Sequence, residues 1–182
     1  MLCVKAYKVT KKRNLRVQAQ IERLKADALL RRDFACVTHE LIASSPDRRL
    51  IEGIAMNVQL AVEDAADMIA AFEPLAQEKK LVYTLEYFIQ DAGQGLSEFF
   101  MRNGRPLITL APVALKAVGA DELAAPAAQM LPMCDDEDES VSVDKSLREA
   151  IDAEFKGIYN QEQLVKAAAD YIRKNAQVFV LQ

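Results

Sequence analysis

Apolar residues recur along this chain at helical spacing and almost nowhere at the alternation of a strand. From Leu15 onward, Val17, Ile21, Leu24, Ala28 and Leu29 form a stripe with charged residues opposite. The spacing predicts a helix that runs to Cys36 or on to Ile42. Residues 1–14 show no sustained period and are rich in Lys and Arg, so a poorly ordered start is expected. Ala43-Ser44-Ser45-Pro46-Asp47 breaks the pattern, with Ser45 placed as an N-cap and Pro46 suited to a first turn. A long helix is then expected over roughly Asp47 to Phe72. There Ile51, Ile54, Val58, Val62, Ala65, Ile69 and Phe72 keep helical step, and Pro74 closes the run.

The stretch from Leu81 to Gly119 reads as the packing centre. Leu81, Leu85, Phe88 and Ile89 mark one apolar helical face, followed by a glycine break at Gly93 and Gly95. A short aromatic turn of helix, Leu96 to Met101, carries the adjacent pair Phe99 and Phe100. Asn103-Gly104 and Pro106 break the chain again, and a helix from about Pro112 to Val118 stops at Gly119, suited to a C′ position. Further helices are expected over Asp121 to Met130, with Pro126 as an irregularity, from an N-cap at Asp144 through Leu147, Ile151, Phe155 and Ile158, and over Gln161 to Asn175. Phe179 is expected to tuck the tail against the body. Val178-Phe179-Val180 alternates but is too short to carry a sheet. The fold class expected is all-α: a compact single-domain bundle of about six to eight helices with a basic N-terminal extension. The division expected is a basic arm and helix over 1–45 and an acidic helical domain over 46–182.

Charge changes this picture more than composition does. The net charge is −4 over 182 residues, but it is unevenly spread. Up to Arg32 there are ten Lys or Arg and two acids, and the remainder holds thirteen basic and twenty-five acidic residues. A basic arm thus precedes an acidic body, which points to a charged partner or to the two parts meeting each other. No apolar run approaches the roughly 18 residues needed to span a bilayer. The basic N-terminus lacks the apolar segment of a secretory signal, so a cytoplasmic protein without a membrane partner is expected. Cys3, Cys36 and Cys134 are far apart and odd in number, and read as separate reduced thiols.

Motifs for chemistry are scarce. Gly93-Gln94-Gly95 is half of a nucleotide-binding glycine pattern, without the third glycine or a preceding strand. Walker and GxSxG sequences are absent, and the lone His39 has no cysteine or second histidine nearby. No cofactor, metal or catalytic residue is therefore expected. Glu98 with Asp91 could be named as an acid–base pair, but nothing selects it over many others. An enzyme would need a concave pocket with grouped, perturbed carboxylates.

The acidic residues have a physical use of their own. Carboxylates three or four apart on a helix stand about 5–6 Å from one another, a scale comparable to phosphates along a DNA strand. Glu63, Asp64 and Asp67 form one such group, Glu149 with Asp152 another, and the run Asp135, Asp136, Glu137, Asp138 and Glu139 a third. Such rows offer a phosphate-like surface to a basic groove. The basic arm, Lys5 to Arg32, supports a different reading, a nucleic-acid-binding or scaffolding device. It lacks the interleaved aromatics that single-strand binders use for stacking.

Several segments together resemble a known family. They are Gly95-Leu96-Ser97-Glu98-Phe99-Phe100, Ala111 through Ala120, Leu147 through Asp152 with Phe155, Tyr171-Ile172-Arg173-Lys174-Asn175, and Phe179. They are similar to a bacterial family of small helical domains whose characterised member is a DNA mimic. The likeness covers about Leu81 to Phe179, with an extension back towards Pro46, and leaves the basic arm outside. The family's Asn-Gly-Gly-Phe stands here as Gly93-Gln94-Gly95-Leu96, and its Gln as Glu98. The resemblance implies a helical bundle and protein binding without catalysis. An acidic dimer resembling duplex DNA would occupy a basic DNA-binding protein, a transcription factor or nucleoid protein, in place of its operator. Direct nucleic-acid binding is expected only through the basic arm, which lies outside the likeness. It supplies no partner-binding motif, so the candidate contacts rest on acidic clustering alone.

Overall fold

The computed structural model describes residues 2–134 and 145–180, with side chains from Val17 onward within the first helix. Helix α1 spans Leu2–Phe34 and so begins well before the apolar stripe does. From Leu2 to Phe34 there is neither Gly nor Pro, and Lys, Arg, Ala, Leu and Gln are frequent. These are good helix formers, and propensity continues the helix where no stripe directs it. The helix ends at Phe34 instead of running to Cys36 or Ile42. A separate short helix, α2 (His39–Ser44), starts where the Thr38 hydroxyl accepts the Leu41 N–H at 3.1 Å. Ser45, expected as an N-cap, instead closes α2, its N–H donating to the Leu41 carbonyl at 3.1 Å.

The expected single helix from Asp47 to Phe72 is two, α3 (Asp47–Val62) and α4 (Met68–Phe72). The apolar spacing carries on across the gap, which is why periodicity alone runs through it. Local hydrogen bonding decides otherwise: Asp67 Oδ1 accepts from the N–H groups of Ile69 and Ala70 at 3.0 and 3.1 Å and starts a new helix. Helix α5 (Gln77–Asp91) leads through a turn at Gly95 to α6 (Leu96–Arg102). Gly95 has φ 147, a conformation that a side chain strains. Helix α7 (Arg105–Ala117) begins seven residues earlier than expected, because Pro106 fits its first turn and Pro112 is tolerated inside it. Its end is as expected. Gly119 at φ 75 donates to the Lys116 carbonyl and Ala120 to the Leu115 carbonyl, the paired bonds of a Schellman cap.

Helices α8 (Asp121–Met130), α9 (Lys145–Ile158) and α10 (Gln161–Lys174) follow, and α11 (Ala176–Phe179) turns the tail helical. Among the described residues there are eight helices of seven or more residues and no strand, an all-α fold. Helix α5 is the centre, packed between α3 and α7, with α10 closing over α3 and α5. Phe88 sits edge-on to Phe99 at 5.0 Å and to Phe155 at 5.9 Å, tying α5, α6 and α9 together. Phe179 is fully buried, so the tail is anchored as expected. Leu30 and Phe34 bring the end of α1 into the same core. A smaller cluster of Ala55, Val58, Val62, Phe72 and Tyr83 lies beneath α4. No helix of the described residues is long and apolar enough to cross a membrane.

Candidate protein-binding surface

The acidic residues sort into those that hold the fold and those left free. Glu63 does not share a helix with Asp67; it caps the end of α3, and Asp67 caps the start of α4. The Glu63 carboxylate accepts both terminal nitrogens of Arg31, one at 2.7 Å, in a two-pronged pair with α1. Hydrogen bonding to Arg31 holds the Glu63 carboxyl below its ordinary range and raises the Arg31 guanidinium. Asp64 is exposed at the same corner and makes no ion pair among the described residues.

Asp152 also has a structural duty. Its Oδ1 accepts the Ser97 N–H at 2.9 Å and its Oδ2 accepts the Ser97 hydroxyl. Helix α6 has no side-chain cap of its own from Gly95, so a carboxylate from α9 supplies one across space. Asp152 therefore faces α6, while Glu149 stands 68% exposed at 3.7 Å from Lys145. The two do not make a shared row. Asp135, Asp136, Glu137, Asp138, Glu139 and the N-cap expected at Asp144 lie outside the described residues. Asp91 and Glu98 both bind Arg102, which accounts for them as ion-pair partners.

Other carboxylates are exposed and make no ion pair among the described residues. Asp121 and Glu122 occupy the first turn of α8, Glu162 the first turn of α10, and Glu154 the outer face of α9; all are exposed. The starts of α8 and α10 open on one cavity of about 350 Å³, lined by Asp121, Glu122, Ile158, Asn160 and Gln163 among others. Carboxylates are favoured in a first helical turn because they face unsatisfied N–H groups, so these charges cost the fold little. None has an ion-pair partner among the described residues. Their signal was present in the sequence: Asp121 and Glu122 follow the Gly119 stop, and Glu162 follows the Asn160 cap, whose side chain accepts the Gln163 N–H at 3.1 Å.

The crevice beneath α1 comes nearest to an enzyme's pocket. It holds about 610 Å³ between α1, α3 and α5, with Asp27, Arg48, Glu52, Tyr83, Glu86 and Tyr87 in its walls. Burial pushes the Glu86 carboxyl up to about 7, against the pull of Arg48. Yet Glu86 Oε1 already accepts from Arg48 and Gln90, and Oε2 is shut away from solvent without a partner. A general acid must present its proton to a substrate, so this geometry is that of a buried ion pair. His39 is exposed on α2. No group of three or more His, Cys, Asp or Glu among the described residues converges to hold a metal ion.

A protein-family model described as DMP19-like protein matches residues 73–175, more than half of the chain. No curated protein and no solved structure matches it. The matched segment holds eighteen acidic and eleven basic residues, and it includes Asp121, Glu122, Glu154 and Glu162.

Proposed function

The chain belongs to the DMP19-like protein family, and from that premise we propose that it is a non-enzymatic protein-binding domain. Its acidic surface occupies the DNA-binding site of a basic partner, a transcription factor or nucleoid protein, as the resemblance to the DNA-mimic family implies. The observation that carries this reading is the set of exposed carboxylates without an ion pair among the described residues of the family-matched segment, Glu73, Asp121, Glu122, Glu154 and Glu162. Asp64, Asp67 and Glu149 are the members of the earlier groups that remain exposed, Asp67 while capping α4, and the run Asp135 to Glu139 adds five charges in sequence. Glu63, Asp67 and Asp152 contribute field, not contacts, because each is engaged within its own chain. Binding of this kind weakens with salt, since exposed charges lose their interaction beyond a Debye length of about 8 Å at physiological ionic strength.

The test is capture from nuclease-treated lysate on the immobilised protein, followed by elution in rising salt and, separately, in duplex DNA. A DNA-binding protein released by both supports the reading. Capture that duplex DNA leaves untouched, or capture of nucleic acid alone, overturns it. A second reading rests on α1, whose basic residues Arg23 and Lys25 are exposed. There the arm itself would hold nucleic acid, and nuclease-sensitive retention lost on removing residues 1–22 and replacing Arg23 and Lys25 by Glu would establish it.

A further inference from the structure

Helix α1 carries its apolar stripe on the side turned away from the body. Among the side chains described from Val17 to Phe34, only Leu30 and Phe34 are buried. Arg23, Ala26, Asp27 and Leu30 line the crevice beneath the helix and so mark its inward side. Val17, Ile21 and Leu24 follow one another at i, i+4 and i+7 and stay 45%, 45% and 67% exposed, with Ala28 exposed on the same line. At about 100° per residue, this stripe lies roughly 140° around the helix from the crevice side.

The seat of α1 fixes that orientation. The Phe34 ring fills the space over Gly53, Asn57 Nδ2 donates to the Phe34 carbonyl at 2.9 Å, and Arg31 is paired with Glu63. The outward stripe therefore cannot turn into the core. Val17 stands thirteen residues before Leu30, about 20 Å along the helix at 1.5 Å per residue. Most helical stability in proteins comes from packing an apolar face, and an isolated helix is marginal in water.

Charge says what such a stripe meets. Up to Arg32 the chain holds ten Lys or Arg against two acids. Lys25 and Arg32 are exposed and lie roughly 60° to one side of the stripe. Their partners, Glu22 and Asp33, are neighbours on the surface, and such pairs exchange readily. Aliphatic side chains beside Lys and Arg are the pattern of a helix that lies in a lipid interface, its aliphatic groups at the acyl boundary and its cations at the headgroups. Nucleic acid would use the cations but not the aliphatic row, and the one aromatic from Val17 to Phe34 is Phe34 itself, which is buried. No helix of the described residues is apolar enough to cross a membrane, and one that lies on the surface needs no such run. The acidic body stands behind a helix about 10–12 Å thick, farther from the lipid than a Debye length of about 8 Å.

We propose that α1 docks the protein on an anionic lipid surface, with Val17, Ile21 and Leu24 inserted beneath the headgroups and Lys25 and Arg32 among the lipid phosphates. The body stays on the water side, because it occupies the inward face of α1. Three aliphatic side chains are few for an anchor, so insertion and charge are both needed, and the docking is reversible and salt-sensitive. The helix lies outside the matched residues 73–175, so the proposal stands apart from the function proposed above.

Tryptophan fluorescence on the nuclease-treated full chain tests it. The sequence has no tryptophan, so Leu24→Trp supplies a single reporter at an exposed position, and a circular dichroism spectrum matching the wild type confirms that the fold is kept. The probes are vesicles of equal parts phosphatidylglycerol and phosphatidylcholine, and vesicles of phosphatidylcholine alone. On the mixed vesicles the emission should move to the blue and be quenched by brominated acyl chains. Binding to phosphatidylcholine alone should be weaker by about tenfold or more. Adding Ile21→Asp should weaken binding to the mixed vesicles by about tenfold or more, the value of losing one inserted aliphatic side chain. Emission that stays at its solvent-exposed wavelength on the mixed vesicles overturns the proposal. So does binding that Ile21→Asp leaves unchanged, which would mean charge alone. A blue shift that comes only with duplex DNA, or with rising protein concentration and no further change on vesicles, overturns it too, since nucleic acid or another protein copy would then cover the stripe.

Discussion

Replacing Glu86 by Gln isolates the energetic consequence of the buried pair under α1. The Glu86 side chain is 5% exposed, and Arg48 Nη2 lies 2.7 Å from its Oε1. Burial outweighs the arginine and lifts the carboxyl from 4.5 to about 7. The folded state therefore keeps a proton over a range in which the unfolded chain has lost it. Stability from this group is fully present below about 4.5, falls as pH rises, and levels off above about 7. Each pH unit within that window is worth about 1.4 kcal/mol, so the whole change is on the order of 3 kcal/mol. Glu86→Gln removes the titration while leaving an amide oxygen for Arg48 and Gln90. The loss of charge beside Arg48 adds an offset that does not depend on the Glu86 proton, so the pH dependence of the difference is diagnostic. Urea unfolding of both proteins at about pH 4.5 and about pH 7.5 measures it. The variant should gain on the wild type by on the order of 3 kcal/mol across that interval. Parallel stability curves would refute the buried, proton-holding carboxylate.

Other expected outcomes follow from single contacts. A Cβ at Gly53 would lie 2.2 Å from Phe34 Cε1, so Gly53→Ala should unseat the end of α1 and cost about 1–3 kcal/mol by chemical denaturation. Asp152→Ala should cost about 1 kcal/mol by freeing the start of α6, and Asp152→Asn should recover part of it, measured by thermal unfolding. Reversing Asp121, Glu122 and Glu162 together to Lys should abolish salt-sensitive capture of the basic partner while leaving the circular dichroism spectrum unchanged.

Long periodic segments were legible because their stripes meet the core. The face Leu81, Leu85, Phe88 and Ile89 became the buried side of α5, and the Gly119 stop became a Schellman cap. The bounds of α8 are those expected, Asp121 to Met130, with the start set just past the Gly119 stop. The misreadings share one cause. Periodicity reports where apolar residues could align, not where the backbone finds another partner. Thus Val62, Ile69 and Phe72 kept step across a break that Asp67 creates by capping α4. The acidic groups suffered in the same way: sequence spacing cannot tell that Arg31 reaches Glu63 over thirty-two residues, or that Ser97 claims Asp152 over fifty-five. The free acids Asp121, Glu122 and Glu162 were visible as first-turn residues, but only the structure shows that the starts of α8 and α10 open on one cavity. The start of α1 escaped because its helix rests on propensity and not on a stripe.

The central claim is that the acidic surface and DNA compete for one site on a basic protein. The most direct measurement takes a captured DNA-binding partner, loads it with a fluorescent duplex, and follows anisotropy as this protein is added. Release of the duplex at low salt, lost in the Asp121, Glu122 and Glu162 reversal, is the predicted result. A duplex that stays bound while this protein joins the complex would contradict the claim, because the two would then occupy different surfaces.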